Sequence, residues 1–124
     1  MFTVKTKLGK SKIEGTGVFA EEFVPKGTLI WKYQEGFDST TSDEQFEKLP
    51  KLAQDYLLHY GYYNKAEGGY VLCGDDARFT NHSSTPKMQA LNKTDSIAIE
   101  DINIGEEITE DYNYFDEQAH LKGI

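Results

Sequence analysis

The sequence predicts a mostly β protein with a small helical insert. Three observations predict it: short apolar or alternating runs recur along the chain, explicit turn signals separate them, and one segment alone shows helical spacing. The runs at 2–6, 18–20, 28–33, 70–73, 88–91, 96–99 and 107–109 read as strands. Pro25-Lys26-Gly27, Gly68-Gly69, Gly74-Asp75-Asp76 and Asn103-Ile104-Gly105 punctuate them. Strands this short imply several small sheets.

Between 40 and 62 the period changes. Phe46, Leu49, Leu52, Ala53, Tyr56, Leu57 and Tyr60 recur at three- and four-residue intervals, which predicts a helix whose apolar stripe packs on the core. Ser42 with Gln45 forms a capping box, Pro50 divides the insert into two helices, and Gly61 ends the second. The tail, 116–124, reads as loosely specified.

At 124 residues the chain fits one domain, 1–124, without repeat or linker. Cys73 is the only cysteine, so neither an internal disulfide nor a cysteine-rich zinc site can form, which suits a reducing compartment. No stretch nears the roughly 20 apolar residues of a membrane span, so a soluble intracellular protein is expected. A net charge of −8 disfavours direct nucleic-acid binding and favours basic, Lys-rich protein partners.

Three segments carry chemistry. Glu14-Gly15-Thr16-Gly17-Val18 sets two glycines before a strand, where a ligand could approach the backbone or where a plain tight turn could sit. Arg78-Phe79-Thr80-Asn81-His82-Ser83 is a polar cluster whose Asn and His suit a purine edge and peptide groups, or a capped turn with a structural histidine. Gly105-Glu106-Glu107-Ile108-Thr109-Glu110-Asp111-Tyr112-Asn113-Tyr114-Phe115 runs from a turn through a strand into an aromatic patch; alone, it reads as an edge strand with solvated acids.

In order and spacing these segments resemble the SET-domain family of protein lysine N-methyltransferases, over nearly the whole chain. The resemblance implies a β-clip-like fold of several short sheets with a C-terminal pseudoknot, in which the region of Asn81 meets that of Tyr112. It implies methylation of a lysine side chain with S-adenosyl-L-methionine as cofactor and no metal. It assigns Thr16, Gly17, Arg78, Phe79, Asn81, His82 and Tyr112 to cofactor contact, Tyr112 to catalysis, and Tyr70, Tyr114 and Phe115 to the substrate channel. The expected partner is a lysine-containing, basic, histone-like protein, met in the nucleus of a eukaryotic or virus-infected host and otherwise in the cytoplasm.

Three departures qualify the likeness. Many family members read Asn-His-Ser-Cys-x-Pro-Asn where this chain has Asn81-His82-Ser83-Ser84-Thr85-Pro86-Lys87. The tail lacks the cysteine-rich zinc segment that roofs the channel in many relatives, as minimal viral and bacterial members do. Tyr114, Phe115 and the tail, or a second copy of the chain in a homodimer, would then supply the roof. Two residues before Tyr112, where Phe or Tyr is common, stands Glu110; a carboxylate turned inward to a lysine ammonium and one solvated at an edge are both open, and the number of methyl groups added is unreadable. Two other functions stand beside the enzyme: a non-catalytic SET-like module holding a basic peptide, and a metal-dependent hydrolase using His59, His82 and His120, whose spacing is poor for ligation.

Overall fold

The computed structural model describes residues 1–124. Its elements run β1 (Thr6–Lys10), β2 (Thr16–Ala20), β3 (Leu29–Lys32), β4 (Ser39–Thr41), α1 (Asp43–Glu47), α2 (Lys51–Tyr60), β5 (Tyr62–Asn64), β6 (Gly69–Leu72), β7 (Asn81–His82), β8 (Met88–Ala90), β9 (Asp95–Ala98) and β10 (Glu107–Glu110), with 3-10 turns between several of them. The mostly β reading with a helical insert holds.

β10 is the seam of the larger sheet, whose order is β1-β2-β10-β8-β9-β3. Its register sets Ile108 opposite Val18 of β2 in antiparallel pairing, and both side chains are fully buried, as alternation on a half-buried strand requires. β7 and β8 pair with β10 in parallel: Thr109 lies opposite Asn81, and Glu110 opposite His82 and Met88. A smaller sheet, β4-β6-β5, carries the helices. Val18, Ala20, Ile30, Met88, Ala98, Ile102 and Ile108 form the core, closed at one side by Phe2 and Trp31.

Several local expectations are realised. Ser42 caps α1 reciprocally with Gln45, and Gly61 follows Tyr60 at the end of α2. A side chain on Gly61 would meet Val71 O at 2.7 Å and Leu57 O at 2.8 Å, so the chain can pass β6 here only as glycine.

Others are corrected. The first strand is not 2–6 but Thr6–Lys10, because Phe2 leaves the hairpin to make a single bridge with Trp31 and fill the core. β4, β5 and β7 are polar or aromatic runs of two or three residues with no alternation to betray them; their strand character comes from the neighbour they pair with. The helical stripe is only partly core: on α2 Leu57 is buried while Leu52 is 83% exposed. The tail is well tied down. Asp116 accepts hydrogen bonds from Tyr63 N (3.1 Å) and Gln118 N (3.0 Å), and Glu117 N donates to Tyr63 O (2.9 Å). Lys122 Nζ donates to Asp116 Oδ2 (2.5 Å) and to Gly61 O (2.6 Å), which pins the last turn, Ala119–Lys122, against the end of α2.

Candidate active site

The glycine loop is held from below by one side chain. Asn81 Nδ2 donates to Glu14 O (3.1 Å), Thr16 O (3.3 Å) and Glu107 Oε2 (3.0 Å), so β7 fixes both the loop and the acid behind it. Glu107 also accepts from Ser11 Oγ at 2.8 Å. Gly17 serves this packing: a Cβ there would lie 2.5 Å from Glu107 Oε2, and the residue faces inward, away from the cleft lined by Glu14, Gly15 and Thr16. A side chain at Gly17 would thus meet Glu107 rather than project into the cleft. Gly15 differs, with a φ of +45° and open space where a side chain would project.

The pairing of β7 with β10 brings the second and third segments together. Tyr112 N donates to His82 Nδ1 at 3.2 Å, which leaves Nε2 as the donor of that ring. The Tyr112 hydroxyl donates to Thr80 O, two residues before His82. Burial, then the nearby Glu110 and Asp116 carboxylates, push the Tyr112 phenol well above its ordinary value of 10, so it stays protonated and acts as a donor.

Tyr112 lies in the lining of two cavities. The larger, about 700 Å³, lies over the loop and is lined by Glu14, Thr16, Arg78, Phe79, Asn81 and His82, with Leu121 to Ile124 of the tail on its far side. The smaller, about 190 Å³, is aromatic: Trp31, Tyr60, Tyr62, Tyr114 and Phe115 surround it and Glu110 lies in its wall. Tyr60, Arg78, Thr80, Tyr112 and Lys122 line both. The geometry is thus a larger cleft and a smaller, aromatic-rich chamber sharing one wall.

Tyr114 and Phe115, which the resemblance assigns to a substrate channel, are among the residues lining the chamber; Phe115 packs edge-on to both Tyr62 and Tyr112, at centroid distances of 4.9 and 5.4 Å. Tyr70 is not. β6 turns it toward α1, where it stacks on Phe46 (4.0 Å, 15°) and leans on Tyr63, outside the chamber. Tyr60 and Tyr62 stand in the wall instead, carried by the end of α2 and by β5. No motif marks them, since their place depends on how the insert folds back.

Arg78 lines both cavities, but its guanidinium is engaged elsewhere: Nε donates to Cys73 O (3.0 Å) and one terminal nitrogen to the Tyr56 hydroxyl (2.7 Å). Lys122, which the sequence did not single out, lies with Nζ 5.1 Å from the centre of the Tyr112 ring. Lys122 thus brings the tail into the lining of both cavities. No three His, Cys, Asp or Glu side chains gather in a group that could hold a metal ion.

A sequence model of the SET domain matches residues 15–113. The chain is 31% identical over 117 residues to the histone-lysine N-methyltransferase Set2 of Drosophila melanogaster and 30% identical over 125 residues to the histone-lysine N-methyltransferase mes-2 of Caenorhabditis elegans. Those matches cover 85% and 92% of this chain but only 5% and 16% of the much longer relatives. In fold it is similar to the Neurospora SET domain protein DIM-5, a histone lysine methyltransferase, with a TM-score of 0.63 at 21% identity, over 90% of this chain and 53% of that one.

Proposed function

The chain belongs to the SET-domain family, and from that premise and the paired cavities we propose that it transfers a methyl group from S-adenosyl-L-methionine to a lysine side chain of a basic, histone-like protein. The observation that carries this reading is the position of Tyr112, in the wall shared by a cleft of cofactor size and a smaller chamber with several aromatic residues in its lining.

The cleft fits the cofactor in volume and in chemistry: the loop at Gly15 and Thr16 leaves open backbone, Phe79 offers an aromatic face, and Asn81 and His82 bring polar groups to its floor. Bound there, S-adenosyl-L-methionine supplies an electrophilic methyl carried on a sulfonium. Everything else is alignment by this chain. An aromatic chamber holds an aliphatic stem in one direction, and such positioning is worth about 7–11 kcal/mol of barrier. The Tyr112 hydroxyl and the Thr80 carbonyl, already joined to one another, belong to residues that line both cavities and orient an amine entering from the chamber. Because the phenol stays protonated it cannot be the base, so the lysine proton must leave by another group.

The test is methyl-labelled S-adenosyl-L-methionine with a panel of basic proteins, followed by mass spectrometry of the labelled bands. Tyr112→Phe should lower turnover roughly 100-fold, the scale of losing one oriented polar group at a reacting centre, with cofactor affinity changed less than about 3-fold. Equal loss of both, with calorimetry for the affinity, would refute the assigned role. Cofactor binding by the native chain without any labelled protein would favour the non-catalytic module.

A further inference from the structure

Resting on that reading, we infer that Glu110 is a substrate-contacting group that this chain adds to the aromatic chamber: its carboxylate receives the charged ε-ammonium of the incoming lysine and takes one proton from it before methyl transfer.

β10 continues the alternation of the seam, but Ile108, Thr109 and Glu110 are all buried, because β2 lies along one edge and β7 and β8 along the other. Glu110 is 9% exposed and lies in the chamber wall rather than at a solvated edge. An acid in such a place needs a reason, since burying a carboxylate without a counter-charge is costly.

No cation of the protein meets that need. Three edge the chamber, and each is committed elsewhere: Arg78 to Cys73 O and the Tyr56 hydroxyl, Lys93 to Ala66 O, Lys122 to Asp116 and Gly61 O. The remaining ionisable groups close to Glu110 are the Tyr62 and Tyr112 phenols and the Cys73 thiol, all held neutral by burial, and Glu67 stands further out along the wall. Only the Ser96 hydroxyl favours its charged form, against a burial that pushes the carboxyl up to about 8. The chamber therefore combines several aromatic faces with two acids, of which Glu67 has Lys93 nearby and Glu110 has no partner cation, which is the chemistry of a site for an alkylammonium.

The proton balance closes. Below its own titration Glu110 is a neutral acid; lysine entry drives its proton to solvent and forms the carboxylate–ammonium pair. One N–H proton then passes to a carboxylate oxygen, which frees the nitrogen lone pair to form the N–CH₃ bond as the S–CH₃ bond breaks. The acid then returns its proton to water.

Two measurements test this, and they fail separately from the methyl-transfer reading. With the labelled panel, Glu110→Gln should lose at least about 10-fold in kcat/KM at pH 7.5, keep cofactor affinity within about 2-fold, and recover toward the native value as pH approaches 10, where the amine supplies itself unprotonated. Native activity with an unchanged profile in the variant overturns the inference and leaves the methyltransferase reading standing. The second measurement needs neither turnover nor a variant that folds: the Glu110 carboxyl carbon is titrated by NMR in the native chain with and without n-butylammonium. Its midpoint should fall by at least one pH unit when the amine is present, and an unmoved midpoint overturns the inference.

Discussion

At the residue scale, burial gives Glu110 a cost that can be read in stability. Its carboxyl titrates near 8 in the fold against an ordinary value of 4.5, so between those limits the folded state binds more protons than the unfolded. Stability from this group is complete below about pH 4.5 and is lost as pH rises toward 8, by an amount on the order of 4 kcal/mol. Glu67, half-buried and pushed up to about 7, bends the curve the same way with a smaller, screened effect. Urea midpoints of the native chain should therefore fall between pH 5 and 8.5, and Glu110→Gln should flatten most of that fall. Parallel curves would place the carboxyl in water. The same residue shows the reach of sequence reading: its unusual position beside Tyr112 was legible, but its direction was not, because alternation along a strand gives two faces without saying which is solvent.

At the scale of elements, what depends on neighbours three or four residues apart was legible. The Ser42–Gln45 capping box is a local exchange of two hydrogen bonds, at 3.1 and 3.0 Å, and needs no tertiary partner. Ser42→Ala should cost about 1 kcal/mol in thermal or urea unfolding; a change below a few tenths would mean α1 is held by Phe46 stacking on Tyr70 alone. The stripe on α2 was legible as helix and misread as core. Periodicity reports that one face differs from the other, yet Leu52 and Tyr56 remain outside because the three-stranded sheet beneath is too small to cover them. β4 and β5 show the converse: residues 39–41 and 62–64 carry no strand pattern and become strands because β6 offers two free edges.

At the scale of the whole molecule, the tail packs beside the site and contributes to its lining. Asp116 alone joins Tyr63, Gln118 and Lys122, and Lys122 leans over Tyr112, so one carboxylate links the end of the chain to the chamber lining. Asp116→Ala strips these partners at once and leaves a largely covered ammonium behind, which should cost about 3 kcal/mol. Hydrogen exchange should then accelerate across 116–124 and at Tyr63, while β2 and β10 stay protected. Unchanged exchange in the tail would show that Ala119 packing suffices without the ion pair.

By itself the sequence determined the β-rich class, the capped helical insert, the three chemical segments and, through their order, the family. These rest on short-range chemistry: turn residues, caps and a run of polar groups that a core would not choose. Tertiary structure alone decided that Gly17 makes room for Glu107, that Tyr60 and Tyr62 rather than Tyr70 wall the chamber, and that Glu110 faces inward. The first and last follow from β10 lying between β2 and the β7–β8 pair, a contact between segments dozens of residues apart, and the second from the pairing of β5 with β6 beneath the helical insert; no local pattern encodes either.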